Sequence, residues 1–193
     1  MSIGSTALWV AFFAVTLEMH AMDLTEWYEA RTYTAAEGRY QDTPLPYRLM
    51  KPAATSTNEL HPLVVFLHGA GERASDNRAQ LAFLPAWMAE SNRLERFPCF
   101  LVAPQCPTNR IWGSKHWTEQ DTTMSEQPGD EMSALIAIIE TLIASEAIDP
   151  RRVYLTGLSM GGFGSFWLAA EHPQRWAACA PICGGGDPDQ VAK

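Results

Sequence analysis

The sequence predicts a single α/β domain built on a mainly parallel sheet. Three observations carry that prediction. Short β-rich runs alternate with helical segments, the run Leu63-Val64-Val65-Phe66-Leu67 is apolar throughout, and 193 residues suit one domain of ordinary size. An apolar run without alternation belongs to a strand covered on both faces, so helices are expected on either side of the sheet.

The elements follow in order. Ala7 to Leu17, ALWVAFFAVTL, is an 11-residue apolar stretch that fits the centre of an export signal, with Ala21 as a small residue at the cleavage edge. No Lys or Arg precedes Arg31, so the positive start of such signals is missing. The division expected is a signal peptide over residues 1–21 and the α/β domain over 22–193, in a secreted or periplasmic protein. The alternatives are an N-terminal helix packed on a cytoplasmic domain, or translation that begins at Met19 or Met22. Trp27 to Tyr33 and Tyr47 to Met50 read as two opening strands, parted by turn chemistry at Asp42-Thr43-Pro44. A polar connector, Ala53 to His61, leads into the apolar run, which ends at His68-Gly69-Ala70-Gly71.

Gln80 to Arg93 has helical composition, and Phe100 to Ala103 is a buried strand ended by Pro104. Residues 105–128 are irregular and carry Trp112, His116 and Trp117, and loops of that length in compact domains are often functional. Asp130 caps a helix whose Met132, Leu135, Ile136, Ile139, Leu142 and Ile143 fall at i, i+3, i+4, i+7 spacing, and Asp149-Pro150 stops it. Val153 to Thr156 is the next strand. A Gly-rich turn and a helix from Ser159 to Glu171 follow, closed by Pro173, which disfavours helical geometry at His172. Trp176 to Ile182 is the last strand, left through Gly184-Gly185-Gly186.

Composition narrows the function classes. Fourteen Lys and Arg against 22 Asp and Glu give a net charge of −8, which repels phosphate backbones, so nucleic acid is not an expected partner. No apolar run reaches the roughly 18 to 20 residues that a membrane-spanning helix needs, so no integral membrane segment is expected. Cys99, Cys106, Cys179 and Cys183 are too few and too scattered for a disulfide scaffold, and they read as small buried residues. Neither CxxC spacing nor a neighbouring histidine marks a metal site.

Gly157-Leu158-Ser159-Met160-Gly161 fits G-x-S-x-G, with Gly162 next. A nucleophilic serine needs a sharp strand-to-helix turn that lifts its hydroxyl clear of the sheet, while the helix N-terminus points positive charge at the reacting carbonyl. The string alone would arise by chance about once in twenty such chains. Its context, VYLTGLSMGGFGSFWLAA, places it between a β-branched strand and an amphipathic helix, as that chemistry demands. Acyl transfer also needs two backbone N–H groups aimed at the developing oxyanion, one after the nucleophile and one on a loop after an earlier strand. Met160 and Ala70 occupy those places, the latter in His68-Gly69-Ala70-Gly71-Glu72.

With LVVFLHGAGERASDNRAQL, VAPQCP, DPRRVYLTGLSMGGFGSF and HPQRWAACAPICGGGD, the chain resembles the α/β-hydrolase superfamily. More narrowly, it resembles esterases and predicted peptidases related to polyhydroxybutyrate depolymerases and feruloyl esterases. The resemblance runs in patches from about residue 44 to 189. It implies a three-layer α/β-hydrolase sandwich with a mainly parallel sheet, lacking the C-terminal strands. It also implies Ser159 as nucleophile, Ala70 and Met160 as oxyanion hole, and an apolar acyl or aryl pocket bordered by the loop with Trp112 and Trp117. Glu72, Arg73, Asp76 and Asn77 match the family's loop after the HG motif, as site-ordering or merely solvated residues.

The base is missing from this pattern. Serine needs an imidazole, held by Asp or Glu, and in this fold both follow the serine in the chain. His172 alone does so, and the intervening helix puts it about 20 Å away. Asp187 and Asp189 have no histidine after them, His68 has a structural role by the resemblance, His116 lies on a loop, and His20 and His61 belong to leader and connector. The expectation is a carboxylic ester hydrolase working through an acyl-enzyme on Ser159, without cofactor or metal, on a small neutral or apolar ester. Its acid and histidine are expected beyond Lys193, the segment alone being inactive and its last strand unpaired. A serine peptidase of the prolyl-oligopeptidase type and a non-catalytic binding protein of the same fold are the alternatives. Oligomeric state is left open.

Overall fold

The computed structural model describes residues 23–53, 59–113 and 127–191. Six strands among them form one sheet in the order β1-β2-β4-β3-β5-β6. β1 (Glu29–Tyr33), β2 (Leu45–Met50) and β4 (Phe100–Pro104) pair antiparallel in succession, whereas β4, β3 (His61–Leu67), β5 (Ile148–Leu158) and β6 (Ala178–Ile182) run parallel. The predicted mainly parallel sheet is therefore present, with an antiparallel flank.

Alternation along the central strands sorts side chains to two faces. Leu63, Val65 and Leu67 of β3 and Phe100 and Val102 of β4 join a cluster with α3 (Asp130–Ser145) and α4 (Met160–Glu171). Val64 and Phe66, with Leu101 and Ala103, join a second cluster under α1 (Leu84–Met88) and α2 (Ser91–Arg96). These two apolar layers make the three-layer sandwich, and they explain why β3 reads as apolar throughout.

Several elements differ from their sequence-based bounds. The expected helix from Gln80 to Arg93 is a 3-10 turn, Ala79–Leu81, followed by α1 and α2, because Phe83 sits at φ +61, outside helical geometry. Helix α3 begins after Gly129, with Asp130 as its first residue rather than its cap, and ends at Ser145, where Glu146 turns extended. Asp149 and Pro150 lie inside β5, and the Asp149 carboxylate accepts from the Arg151 amide and side chain and from Arg152. Ahead of β1, Asp23 caps a 3-10 turn at Leu24–Glu26, so the strand begins at Glu29 rather than Trp27.

The cysteines also divide. Cys99 and Cys106 are buried in opposite clusters, Cys179 is half-buried, and Cys183, contrary to the expectation of burial, is exposed just after β6. No helix among the described residues is long and apolar enough to cross a membrane. The export signal expected over residues 1–21 lies outside them.

Candidate active site

The turn at Ser159 is an elbow between strand and helix, formed where β5 hands over to α4. Ser159 lies between them at φ +53, ψ −114, a conformation that costs a non-glycine residue about 1 to 3 kcal/mol and that persists only where the surroundings impose it. Those surroundings are backbone. The Ser159 N–H donates to the Ile182 carbonyl of β6 at 2.8 Å, and the α4 ladder starts with Phe163 N–H to the Ser159 carbonyl at 3.1 Å. A Cβ on Gly161 would stand 1.9 Å from the Leu67 carbonyl oxygen of β3, and one on Gly157 would stand 2.3 Å from the Gly161 carbonyl oxygen. Three neighbouring strand ends therefore fix the serine. It is half-buried, neither within a straight helix nor sealed in the core.

The loop after β3 reaches the same point. A Cβ built on Gly69 would lie 3.8 Å from Ser159 Cβ and 3.5 Å from the Leu158 carbonyl oxygen. Ala70 is the first residue of the 3-10 turn Ala70–Glu72, as Met160 is the first of α4. Leading N–H groups of a helical turn have no partner within it, so both amides need one from outside their own turn. Met160 is completely buried, whereas Ala70 is exposed. Glu72 folds back, so that its Oε2 would lie 3.0 Å from a Cβ on Gly69. Arg73 donates to the carbonyls of Ala70, at 2.9 Å, and Arg110.

Trp112 is not on the surface of a pocket. Fully buried, it packs its ring edge-on to His68 at 5.4 Å between centroids and donates from Nε1 to the His68 carbonyl at 3.2 Å. A large apolar ring with one satisfied donor gains more from burial here than from lining a wet cleft, which corrects the expectation. Trp117 and His116 lie outside the described residues.

The described histidines do not reach the serine as bases. His68 is completely buried, its Nε2 accepts from the Cys106 N–H at 2.9 Å, and its Nδ1 therefore carries the proton and donates to the Gly69 carbonyl at 2.6 Å. Burial pushes its pKa down to about 4, so it is a neutral structural strut. His172 caps the far end of α4, and His61 starts β3, beside the start of β5 and so at the opposite end of the strands from Ser159. Asp187 accepts from the Asp189 N–H at 3.0 Å at the start of the short helix α5 (Pro188–Val191). Among the described residues no cluster of His, Cys, Asp and Glu is arranged to hold a metal ion.

Gln105 was not singled out by its own chemistry in the sequence. It is fully buried, and its amide bonds Asn77 N–H, the Asp76 carboxylate and the Glu72 carbonyl. A glutamine between two prolines at the end of an apolar strand was the available signal.

Known proteins share parts of this sequence and fold. Residues 113–189 match the model of the prolyl oligopeptidase family. The chain is 35% identical over 125 residues to poly(3-hydroxyalkanoate) depolymerase C of Paucimonas lemoignei, covering 64% of this chain and 28% of that one. It is 25% identical over 126 residues to feruloyl esterase B of Neurospora crassa, covering 63% and 38%. A thermostable esterase of known structure superposes with a TM-score of 0.77 at 38% identity, over 88% of this chain and 44% of that one. The chain thus spans less than half the length of these relatives. It carries the fold of the α/β-hydrolase superfamily, and its similarities lie with esterases and hydrolases of that superfamily.

Proposed function

We propose that this chain contributes the nucleophile and oxyanion hole of a serine hydrolase that cleaves small, neutral carboxylic esters. Ser159 Oγ attacks the ester carbonyl as its proton passes to a base, and the tetrahedral oxyanion sits between the amides of Met160 and Ala70. Collapse expels the alcohol, which takes up that proton, and water then frees the acid from the acyl-enzyme. The single observation behind this proposal is the strained backbone of Ser159, held by three strand ends with the Gly69-Ala70 loop beside it. A chain with no use for an exposed serine on such a turn has no physical reason to bear its cost. The base and its acidic partner belong, in this proposal, to residues outside the described ones. No cofactor is invoked.

A second reading, hydrolysis of peptide bonds, is favoured by the prolyl oligopeptidase match, since amides and esters pass through the same tetrahedral intermediate. The protein from the whole reading frame is tested on p-nitrophenyl esters and on dipeptide anilides, with mass spectrometry of the trapped acyl-enzyme. Ester turnover with acyl on Ser159 supports the proposal, and anilide turnover without ester turnover gives the peptidase. No acylation by either class leaves a binding protein of this fold. Removal of the leader before residue 22 is part of the proposal, read by N-terminal sequencing of the exported protein.

A further inference from the structure

The motif Val102-Ala103-Pro104-Gln105-Cys106-Pro107 has no part in the chemistry just described, yet its middle residues touch the whole length of the loop after β3. The Cys106 N–H donates to His68 Nε2 at 2.9 Å, where that loop begins. The Cys106 carbonyl accepts from the Ala74 N–H at 3.3 Å, halfway along. The Gln105 side chain takes the remainder. Its Oε1 accepts from the Asn77 N–H at 2.7 Å, while Nε2 donates to Asp76 Oδ1 at 2.7 Å and to the Glu72 carbonyl at 3.3 Å. Gln105 is itself anchored, since its N–H donates to the Pro46 carbonyl of β2 at 2.9 Å.

We infer that Gln105 is a positioning residue for the oxyanion hole, a latch that sets the Ala70 amide by fixing the loop on which it rides. This inference rests on the proposed hydrolysis. Three features give the latch its leverage. The amide is fully buried with donors and acceptor all engaged, and a buried polar network binds strongly only when complete. Glu72, whose carbonyl it holds, ends the 3-10 turn that Ala70 starts, so the bond lands on the turn that carries the oxyanion donor. Asn77, whose N–H it accepts, sits at φ +52 and is held further by Arg48 Nε on its carbonyl at 2.7 Å. The far end of the loop is thereby locked in a conformation that it would leave once released.

The test uses the protein from its whole reading frame, with Gln105→Leu to remove all three bonds and Gln105→Glu to keep the shape and the acceptor but not the donors. Tyr28→Phe is the control, because it removes a buried hydrogen bond, to the Pro85 carbonyl, in which no residue of 69–81 takes part. Both Gln105 variants should speed amide exchange over residues 69–81 by about 10-fold or more, and lower kcat on p-nitrophenyl esters by about 10- to 100-fold with KM within about twofold. Tyr28→Phe should lower the melting temperature yet leave loop exchange and kcat within about twofold. Unchanged exchange in both variants, faster exchange with undiminished kcat, or an equal kcat loss in Tyr28→Phe would each overturn the inference. If the wild type turns over no more ester or anilide than Ser159→Ala, the hydrolase proposal fails. Exchange over residues 69–81 then decides alone whether Gln105 latches the loop.

Discussion

Replacing Gly161 by alanine should damage both stability and the proposed oxyanion hole, and the size of the effect follows from backbone geometry. The new Cβ would stand 1.9 Å from the Leu67 carbonyl oxygen and 2.4 Å from its carbon. Ordinary carbon contacts are about 3.5 Å, so α4 and the end of β3 must part by about 1.5 Å. No rotamer relieves this, because the opposing atoms are main chain. Overpacking costs about 1 to 3 kcal/mol where side chains can adjust, and a clash against a central strand should reach about 3 kcal/mol. For a chain of 193 residues that lowers the melting temperature by roughly 6 to 12 °C. The Met160 amide moves with the helix, and a displacement of about 1 Å costs roughly 100-fold in kcat. Gly71→Ala is the internal comparison, since a Cβ there meets nothing within 4 Å, and it should stay within about 0.5 kcal/mol of wild type. Thermal melts and ester kinetics on both variants decide. Gly161→Ala within about 1 kcal/mol of wild type, or no better distinguished from it than Gly71→Ala, refutes the close packing of elbow and sheet.

Three further outcomes are expected. Ser159→Gly should raise stability by roughly 0.5 to 2 kcal/mol in denaturant titration while abolishing acyl-enzyme formation, because glycine adopts φ +53 without strain, and Ser159→Ala should give no such gain. The pKa of His68 is lowered to about 4, so the unfolded chain takes up its proton first as pH falls and the native state loses stability from about pH 6.5 down to 4. The loss is roughly 3 kcal/mol, and replacing His68 by Gln should remove that part of the pH slope even though the variant is weaker overall, as urea melts at pH 7 and pH 4 would show. In the native protein a thiol reagent should modify Cys183 ahead of Cys99 and Cys106, since burial pushes the Cys99 thiol up to about 11 and the Cys106 thiol higher still. Peptide mapping after a short exposure that finds Cys99 first would contradict the burial described.

Much of this architecture was legible because periodicity and turn chemistry are local. The apolar run of β3, the spacing along α3 and the strand-turn-helix order about Ser159 each carry their own signal, and each element was found where expected to within a few residues. What escaped depends on backbone conformations and contacts that only the folded chain creates. The break at Phe83 rests on a left-handed residue that is neither Gly nor Asn, so nothing local announces it. Asp149-Pro150 reads as a stop because the arginines that let the carboxylate sit inside a strand work only once the strand exists. Trp112 reads as a pocket wall because an aromatic residue in a long loop looks exposed, until the His68 carbonyl is known to receive its N–H. Gln105 went unnoticed as a latch for the same reason, its partners lying about 30 positions upstream.

The Ser159 amide is bonded to β6, and the glycine two positions on is pressed against β3. The hydroxyl proposed to attack thus belongs to the rigid frame, whereas Ala70, proposed to share in the oxyanion hole, rides on a loop that joins the frame through side-chain hydrogen bonds. Changes in that loop should therefore retune the stabilisation of the oxyanion while leaving the serine's own backbone in place. The two halves of the proposed machinery are in that sense separately mutable, and a library confined to residues 72–78 would sample the one while sparing the other.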